Sequence, residues 1–387
     1  MDALTTPSNW QRVRLGDMTT SFTKQTGFDY SASIKPTLIK EQLPNYIPFI
    51  QNKDFLGHYI NYKTDYFIPN EIAIRFPQIL LNEKCLLISI SGAIGNVAVF
   101  NHSQNAFIGG AIAVLKFKEK KSLDFVMHFL MSASGQKLLL NSVKSSSHKN
   151  LTIADLRDLL IPLPPLNEQA AIANILSDVD HYLYSLRALI LKKESVKKAL
   201  SFELLSQRKR LKGFNQAWQR VRLGDILTLK HGRDYKKFKL GNIPVYGSGG
   251  YMLSINNFLH NGESVCIGRK GTIDKPIYLN GKFWVVDTLF YSYSFKKSIP
   301  KFIFYAFSII KWSNYNEATG VPSLTKMTIS NIEIPLPPLN EQIAIANILS
   351  ALDNEIISLK NKKRQFENIK KALNHDLMSA KIRVLKK

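Results

Sequence analysis

The chain has 387 residues, more than one ordinary hydrophobic core holds and enough for two medium domains plus something extra. An apolar share of 45% and an aromatic share of 11% exclude wholesale disorder. The 52 Lys and Arg against 29 Asp and Glu give a net charge of +23, which points to a polyanionic partner, nucleic acid ahead of an anionic membrane.

The opening MDALTTPSNW lacks the basic stretch and apolar run of a signal peptide. The longest apolar runs, Ala106 to Leu115 and Lys301 to Ile310, fall short of the roughly 20 residues that a membrane span needs. A soluble, cytoplasmic protein with no membrane partner is the expectation. Cys85 and Cys266 each sit in an apolar strand-like run, which argues against a disulfide framework and a thiolate metal site.

The first distinctive element is WQRVRLGD, Trp10 to Asp17. After it comes a segment of short strands rich in Val, Ile, Phe and Tyr, punctuated by glycine turns, which reads as a compact α/β domain. Within it CLLISISGAIGNVAVF, Cys85 to Phe100, predicts a hairpin turning at Gly92, with Ser89 and Ser91 as candidate contact residues. A glycine turn can equally be only a turn. Lys149 and Asn150, near the end of the segment, are polar groups of the type that touch phosphates, although loop solubility explains them as well.

IPLPPLNEQ follows, Ile161 to Gln169. Its Pro164-Pro165 pair cannot lie inside a helix, and Asn167-Glu168-Gln169 places an acidic side chain in a first helical turn, where the dipole favours it. A polyproline ligand is the alternative reading of PLPPL, but its place at a helix start favours a structural elbow. Apolar residues then recur at Ile172, Leu176, Val179, Leu183, Leu186 and Ile190, the four-then-three spacing of a coiled-coil seam. With no Pro or Gly before Gly213, Asn167 to Leu211 predicts a rod of roughly 65 Å, with a polar interruption around Lys193.

The chain is then written a second time. WQRVRLGD recurs at Trp218 to Asp225, an offset of 208, and IPLPPLNEQ at Ile334 to Gln342, an offset of 173, so the first insert is longer by 35 residues. In the second insert YGSGGY, Tyr246 to Tyr251, has neither the following helix pattern nor the Gly-Lys-Ser/Thr ending of a phosphate-cradling loop, and Tyr246 and Ser248 are kept as candidates on a DNA-facing or structural turn. VCIGRKGTIDKPIYL, Val265 to Leu279, repeats the hairpin pattern with Arg269 and Lys270 beside Gly271; Ser323 and Lys326 close the insert. Pro337, Pro338, Leu339, Asn340, Glu341 and Gln342 repeat Pro164, Pro165, Leu166, Asn167, Glu168 and Gln169, and open a second seam through Ile345, Leu349, Leu352, Ile356 and Leu359, interrupted near Lys363.

Catalytic signatures are missing. The eight His residues show no zinc-helix spacing, and both Pro-Pro pairs lack the Asp/Asn and Tyr/Phe flanks of an amino-methyltransferase loop, so no catalytic and no metal-binding residue is assigned.

The two WQRVRLGD-type blocks, the two IPLPPLNEQ-type blocks with their helices, and the variable inserts between them resemble the specificity subunit of type I restriction-modification systems over essentially the whole chain. The resemblance implies two α/β (α+β) target-recognition domains, separated by two long antiparallel coiled-coil helices in a pseudo-two-fold repeat. Its divisions are 1–165, target-recognition domain; 166–212, spacer helix; 213–338, target-recognition domain; 339–387, spacer helix. It implies a non-catalytic chain that reads a bipartite double-stranded DNA target and directs adenine methylation and restriction by others. The partners would be two modification subunits and the restriction subunits; S-adenosylmethionine, ATP and Mg²⁺ would sit on those partners. Competing readings are a self-sufficient DNA nuclease or methyltransferase and a coiled-coil tether.

Overall fold

The computed structural model describes residues 9–143 and 150–384. By its internal contacts the chain divides into two compact units, Met1–Ser185 with Lys363–Lys387, and Leu186–Lys362.

In the first unit the strand Gln11–Arg14 pairs antiparallel with Leu160–Leu163, tying the beginning of the insert to its end. Leu15 is fully buried behind it, and Trp10 meets Phe125 edge-on at 6.2 Å. At Gly16 an added Cβ would sit 3.1 Å from Cβ of Arg157, so glycine admits the close approach of the short helix Ile153–Arg157. The second unit repeats the clasp: Gln219–Arg222 pairs with Glu333–Leu336, Leu223 is buried, Trp218 meets Phe302 edge-on, and Gly224 touches Ser330. The duplicated octapeptide is thus a structural closure, with Trp10, Leu15 and Leu223 buried and Val13, Trp218 and Val221 partly buried.

Each insert holds two four-stranded sheets of the same order. In the first unit Thr19–Lys24, Ile112–Phe117, Cys85–Ser89 and Val97–Phe100 form an antiparallel sheet. The other sheet runs Phe67–Pro69, Tyr46–Ile50, Ala106–Ile108, Leu80–Leu81, with its central pair parallel. In the second unit the order is Thr228–His231, Leu289–Tyr293, Ser264–Gly268, Ile277–Leu279, then Gly250–Ile255, Leu240–Gly247, Lys282–Val285, His260–Asn261, again with a parallel central pair. Both expected hairpins are present, and Gly92 (φ 72°) and Gly271 (φ 91°) take the left-handed conformation that their turns require. YGSGGY is the turn of a hairpin, with Tyr246 opposite Tyr251 and Gly247 opposite Gly250.

Two long helices, Leu166–Leu205 and Leu339–Met378, each have 40 residues, about 60 Å. They run unbroken through the expected interruptions, where Lys193 bonds Glu355 and Lys363 bonds Glu367. In the first unit the start of one helix (Ile172, Ala173, Leu176) packs with the end of the other (Leu377, Met378), an antiparallel arrangement. The second unit repeats it with Ile345, Ala346 and Leu349 against Leu204 and Leu205.

The first helix stops at Leu205, short of the expected Leu211. Gln207 turns left-handed (φ 61°) and Lys209 N–H returns to the Glu203 carbonyl at 3.1 Å. The second helix ends identically, with Ala380 at φ 54° and Ile382 N–H on the Asp376 carbonyl at 3.2 Å. Neither stop uses Gly or Pro, the residues whose absence suggested a longer rod.

Candidate nucleic-acid interface

In the second unit the turn after strand Ser264–Gly268 is held by backbone bonds on both sides. Arg269 N–H donates to the Thr288 carbonyl at 2.8 Å, Gly271 N–H to the Pro322 carbonyl at 2.8 Å, and the Arg269 carbonyl accepts from Leu324 N–H at 2.9 Å. Lys270 and Ser323 form an isolated antiparallel bridge. A Cβ at Gly271 would lie 3.2 Å from Ser248 Oγ, and Ser248 N–H donates to Thr288 Oγ1, so the Tyr246–Tyr251 turn abuts the same place. Ser248, Arg269, Lys270 and Ser323 are therefore brought together, and Lys326 follows at the start of a helix capped by Thr325.

Two open hollows flank this turn. One, about 710 Å³, is lined by His231, Arg269, Lys270, Ser323, Lys326 and the exposed Met327; the other, about 800 Å³, by Asp234, Tyr235, Lys236, Ser248, Tyr251 and Asp287. Tyr246 is half-buried and packs edge-on against the exposed Tyr251, which reaches the hollow in its place. The run Arg233-Asp-Tyr-Lys-Lys-Phe-Lys239 was not singled out in the sequence, although its interleaved cations and aromatics carry the signal of a phosphate-and-base surface.

The first unit has the same backbone device with different side chains. Leu151 N–H donates to the Ile90 carbonyl at 3.0 Å, and Ser91 and Asn150 form the isolated antiparallel bridge. Ile90 and Ser91 thus occupy the places of Arg269 and Lys270, and Asn150 that of Ser323. Ser91 is partly open and Asn150 exposed. Ser89 is fully buried, with its N–H on the Asn96 carbonyl and its carbonyl on Gly95 N–H, and so has no free face. Lys149 lies outside the described residues. Asn52, absent from the sequence candidates, donates through Nδ2 to the Ser91 carbonyl at 2.6 Å and fixes the turn.

The Pro-Pro blocks form a different kind of site. Leu166 and Leu339 are exposed at the helix starts, and the Asn167 and Asn340 side chains each accept from the next backbone N–H. Glu168 and Glu341 point inward and are buried. Arg383 donates to both Glu168 oxygens at 2.7 and 3.0 Å, and Arg210 to both Glu341 oxygens at 3.3 and 2.7 Å, with Trp218 Nε1 adding a bond at 2.9 Å. The left-handed stops of the long helices aim these two arginines back. Gln169 and Gln342 are buried and donate to the Pro164 and Pro337 carbonyls, closing the elbow.

Two to three turns further on, each helix presents a Ser and an Asp to the insert of its unit. In the second unit Tyr305 O–H donates to Asp353 Oδ2 at 2.7 Å beside Ser350, and Lys197 pairs with the same carboxylate. In the first unit His128 takes the place of Tyr305, with Nε2 3.1 Å from Ser177 Oγ. Asp180 there faces His58 Nε2 at 3.4 Å and His128 Nδ1 at 4.0 Å, and pairs with Lys370. Burial holds the His58 imidazole down at about 4 and His128 at about 3, so both are neutral at pH 7. Burial likewise pushes the Cys85 and Cys266 thiols up to about 12, where they are inert.

Among the described residues no group of three or more His, Cys, Asp or Glu side chains is placed to hold a metal ion, and no helix is long and apolar enough to cross a membrane.

Against known proteins, residues 7–194 and 215–368 match the family described as Type I restriction modification DNA specificity domain. The chain is 26% identical to the type I restriction enzyme MjaVIII specificity subunit of Methanocaldococcus jannaschii, over 99% of this chain and 95% of that protein. It is 28% identical to the putative MjaX specificity subunit of the same organism, over 75% and 76%. Its fold is similar to the crystal structure of a type I restriction-modification S subunit from M. genitalium, with a TM-score of 0.68 at 18% identity, covering 97% of this chain and 98% of that one. The two matched segments, one in each half of the repeat, place the chain in the family of type I restriction-modification DNA specificity subunits.

Proposed function

We propose that the chain reads a bipartite double-stranded DNA target, one half-site per recognition domain, and directs adenine methylation and restriction by partner subunits while carrying no catalytic centre itself. The observation that carries this reading is the duplicated turn: one backbone device, the bridges Lys270–Ser323 and Ser91–Asn150, places Arg269 and Lys270 in one domain where the other has Ile90 and Ser91. A shared frame with different side chains suits two recognition tasks of one kind. Lys and Arg would position the duplex through phosphates, and polar groups on the turns would reach base edges.

The Glu168 and Glu341 elbows would hold the helix starts in shape for two modification subunits, which would bind S-adenosylmethionine; the restriction subunits would supply ATP and Mg²⁺ chemistry. A chain that adopts a related fold in work on complex assembly of the type I R-M system (TM-score 0.53) supports the partner reading.

The test compares the chain alone with the chain plus modification subunits on duplex DNA. Alone, its affinity should fall steeply with salt and no methyl group should be transferred; with the subunits, binding and methylation should become sequence-selective. A flat salt response, or methyl transfer by the chain alone, overturns the proposal.

A further inference from the structure

The helix faces that meet inside the two units repeat at a spacing of 173 residues, so each contact has a counterpart. The apolar ends match, and Asp180–Lys370 in the first unit recurs as Asp353–Lys197 in the second. Contacts of this kind form equally well between unlike helices and between two copies of either one. Glu194–Lys360 is also neutral to the choice, because Arg187 and Glu367 at the repeated positions keep opposite signs in every combination.

At one pair of facing positions the repeat exchanges an ion pair for two aromatic rings. In the second unit Lys193 Nζ lies 2.8 and 2.9 Å from the Glu355 oxygens. In the first unit the equivalent places hold Phe366 and Tyr182, whose rings are 4.6 Å apart and tilted by 53°. We infer that this pair makes the second long helix reject a second copy of itself, whereas the first accepts one. Two second helices in antiparallel contact would set Glu355 against Phe366 twice. Each carboxylate would lose its ammonium partner and meet a ring whose face is itself negative. Two first helices would set Tyr182 against Lys193 twice, a cation–π combination. The chain thereby favours pairing its own unlike halves over any assembly that needs two second helices, and this holds whether or not the DNA reading is correct.

Full-length chains test it. One carries residues 166–205 in both helix positions, the other residues 339–378 in both. The second should melt about 2–3 °C below the first, because it sets Glu355 against Phe366 twice where the first sets Tyr182 against Lys193 twice. Phe366→Lys in both of its helix copies should restore the melting temperature by giving each Glu355 an ammonium partner. Equal melting of the two chains, or failure of Phe366→Lys to recover the second, overturns the inference.

Discussion

Arg383 closes on Glu168 through two parallel hydrogen bonds, Nε to Oε1 at 2.7 Å and Nη2 to Oε2 at 3.0 Å, and so ties the end of the chain to the start of the first long helix. The carboxylate is buried and the guanidinium about one-third exposed. Removing one partner of a buried pair costs about 3–5 kcal/mol; the open side of the guanidinium reduces this. Arg383→Leu should therefore lower stability by about 2 kcal/mol in urea unfolding, and Arg210→Leu, which strips Glu341, should do the same. Loss below about 0.5 kcal/mol at both positions would show that the clasps are not structural.

The Asp180 junction predicts a pH dependence. His58 and His128 are held at about 4 and about 3, below the unfolded value near 6.5, so the unfolded chain binds protons first as pH falls. Stability is complete above pH 6.5 and is lost as pH falls, by about 2 kcal/mol for each imidazole at pH 5 and about 3 kcal/mol at pH 4. His128→Tyr installs the phenol that Tyr305 supplies in the second unit, and should flatten part of this slope in chemical denaturation between pH 7 and 5. An unchanged slope would exclude His128 as a source.

Arg269 and Lys270 stand where the first domain has Ile90 and Ser91. Arg269→Ala with Lys270→Ala should relax or weaken recognition of one half-site by 10-fold or more and leave the other intact, since a good base contact is worth about 1–3 kcal/mol. Methylation of a panel of target variants by the complete complex reads this out. Equal losses at both half-sites would assign the two side chains to non-specific attraction.

A fragment from Met1 to Lys212 keeps the first recognition domain and one helix. Its Ile172, Ala173 and Leu176 can accept Leu200, Leu204 and Leu205 of a second copy in place of Leu373, Leu377 and Met378, and its Glu168 can accept Arg210 in place of Arg383. It should homodimerise at micromolar concentration and, with modification subunits, direct methylation to a symmetric site. A folded fragment that remains monomeric in light scattering with those subunits present would count against it.

Much of the frame was legible because repetition reveals it. WQRVRLGD and IPLPPLNEQ mark the closures of each domain, and the seam from Ile172 marks the helix. The helix stops were not legible: Gln207 and Ala380 turn left-handed without glycine, and Arg210 and Arg383, three residues further on, bond carboxylates more than 100 residues away. The turns were found by their glycines, but a glycine says nothing of which neighbour faces out. Ser89 is buried and Tyr246 is half-covered, whereas Tyr251 and Lys236 line the hollow. Asn52 could not be found from sequence, because its role rests on a bond to Ser91, 39 residues away.

Exchange of one recognition domain tests the central claim most directly. Replacing Gln219 to Ile334 with the corresponding segment of a relative, and sequencing the methylated DNA, should change one half of the target and leave the other half unaltered. If both halves change together, the two domains do not read DNA independently and the bipartite account is wrong.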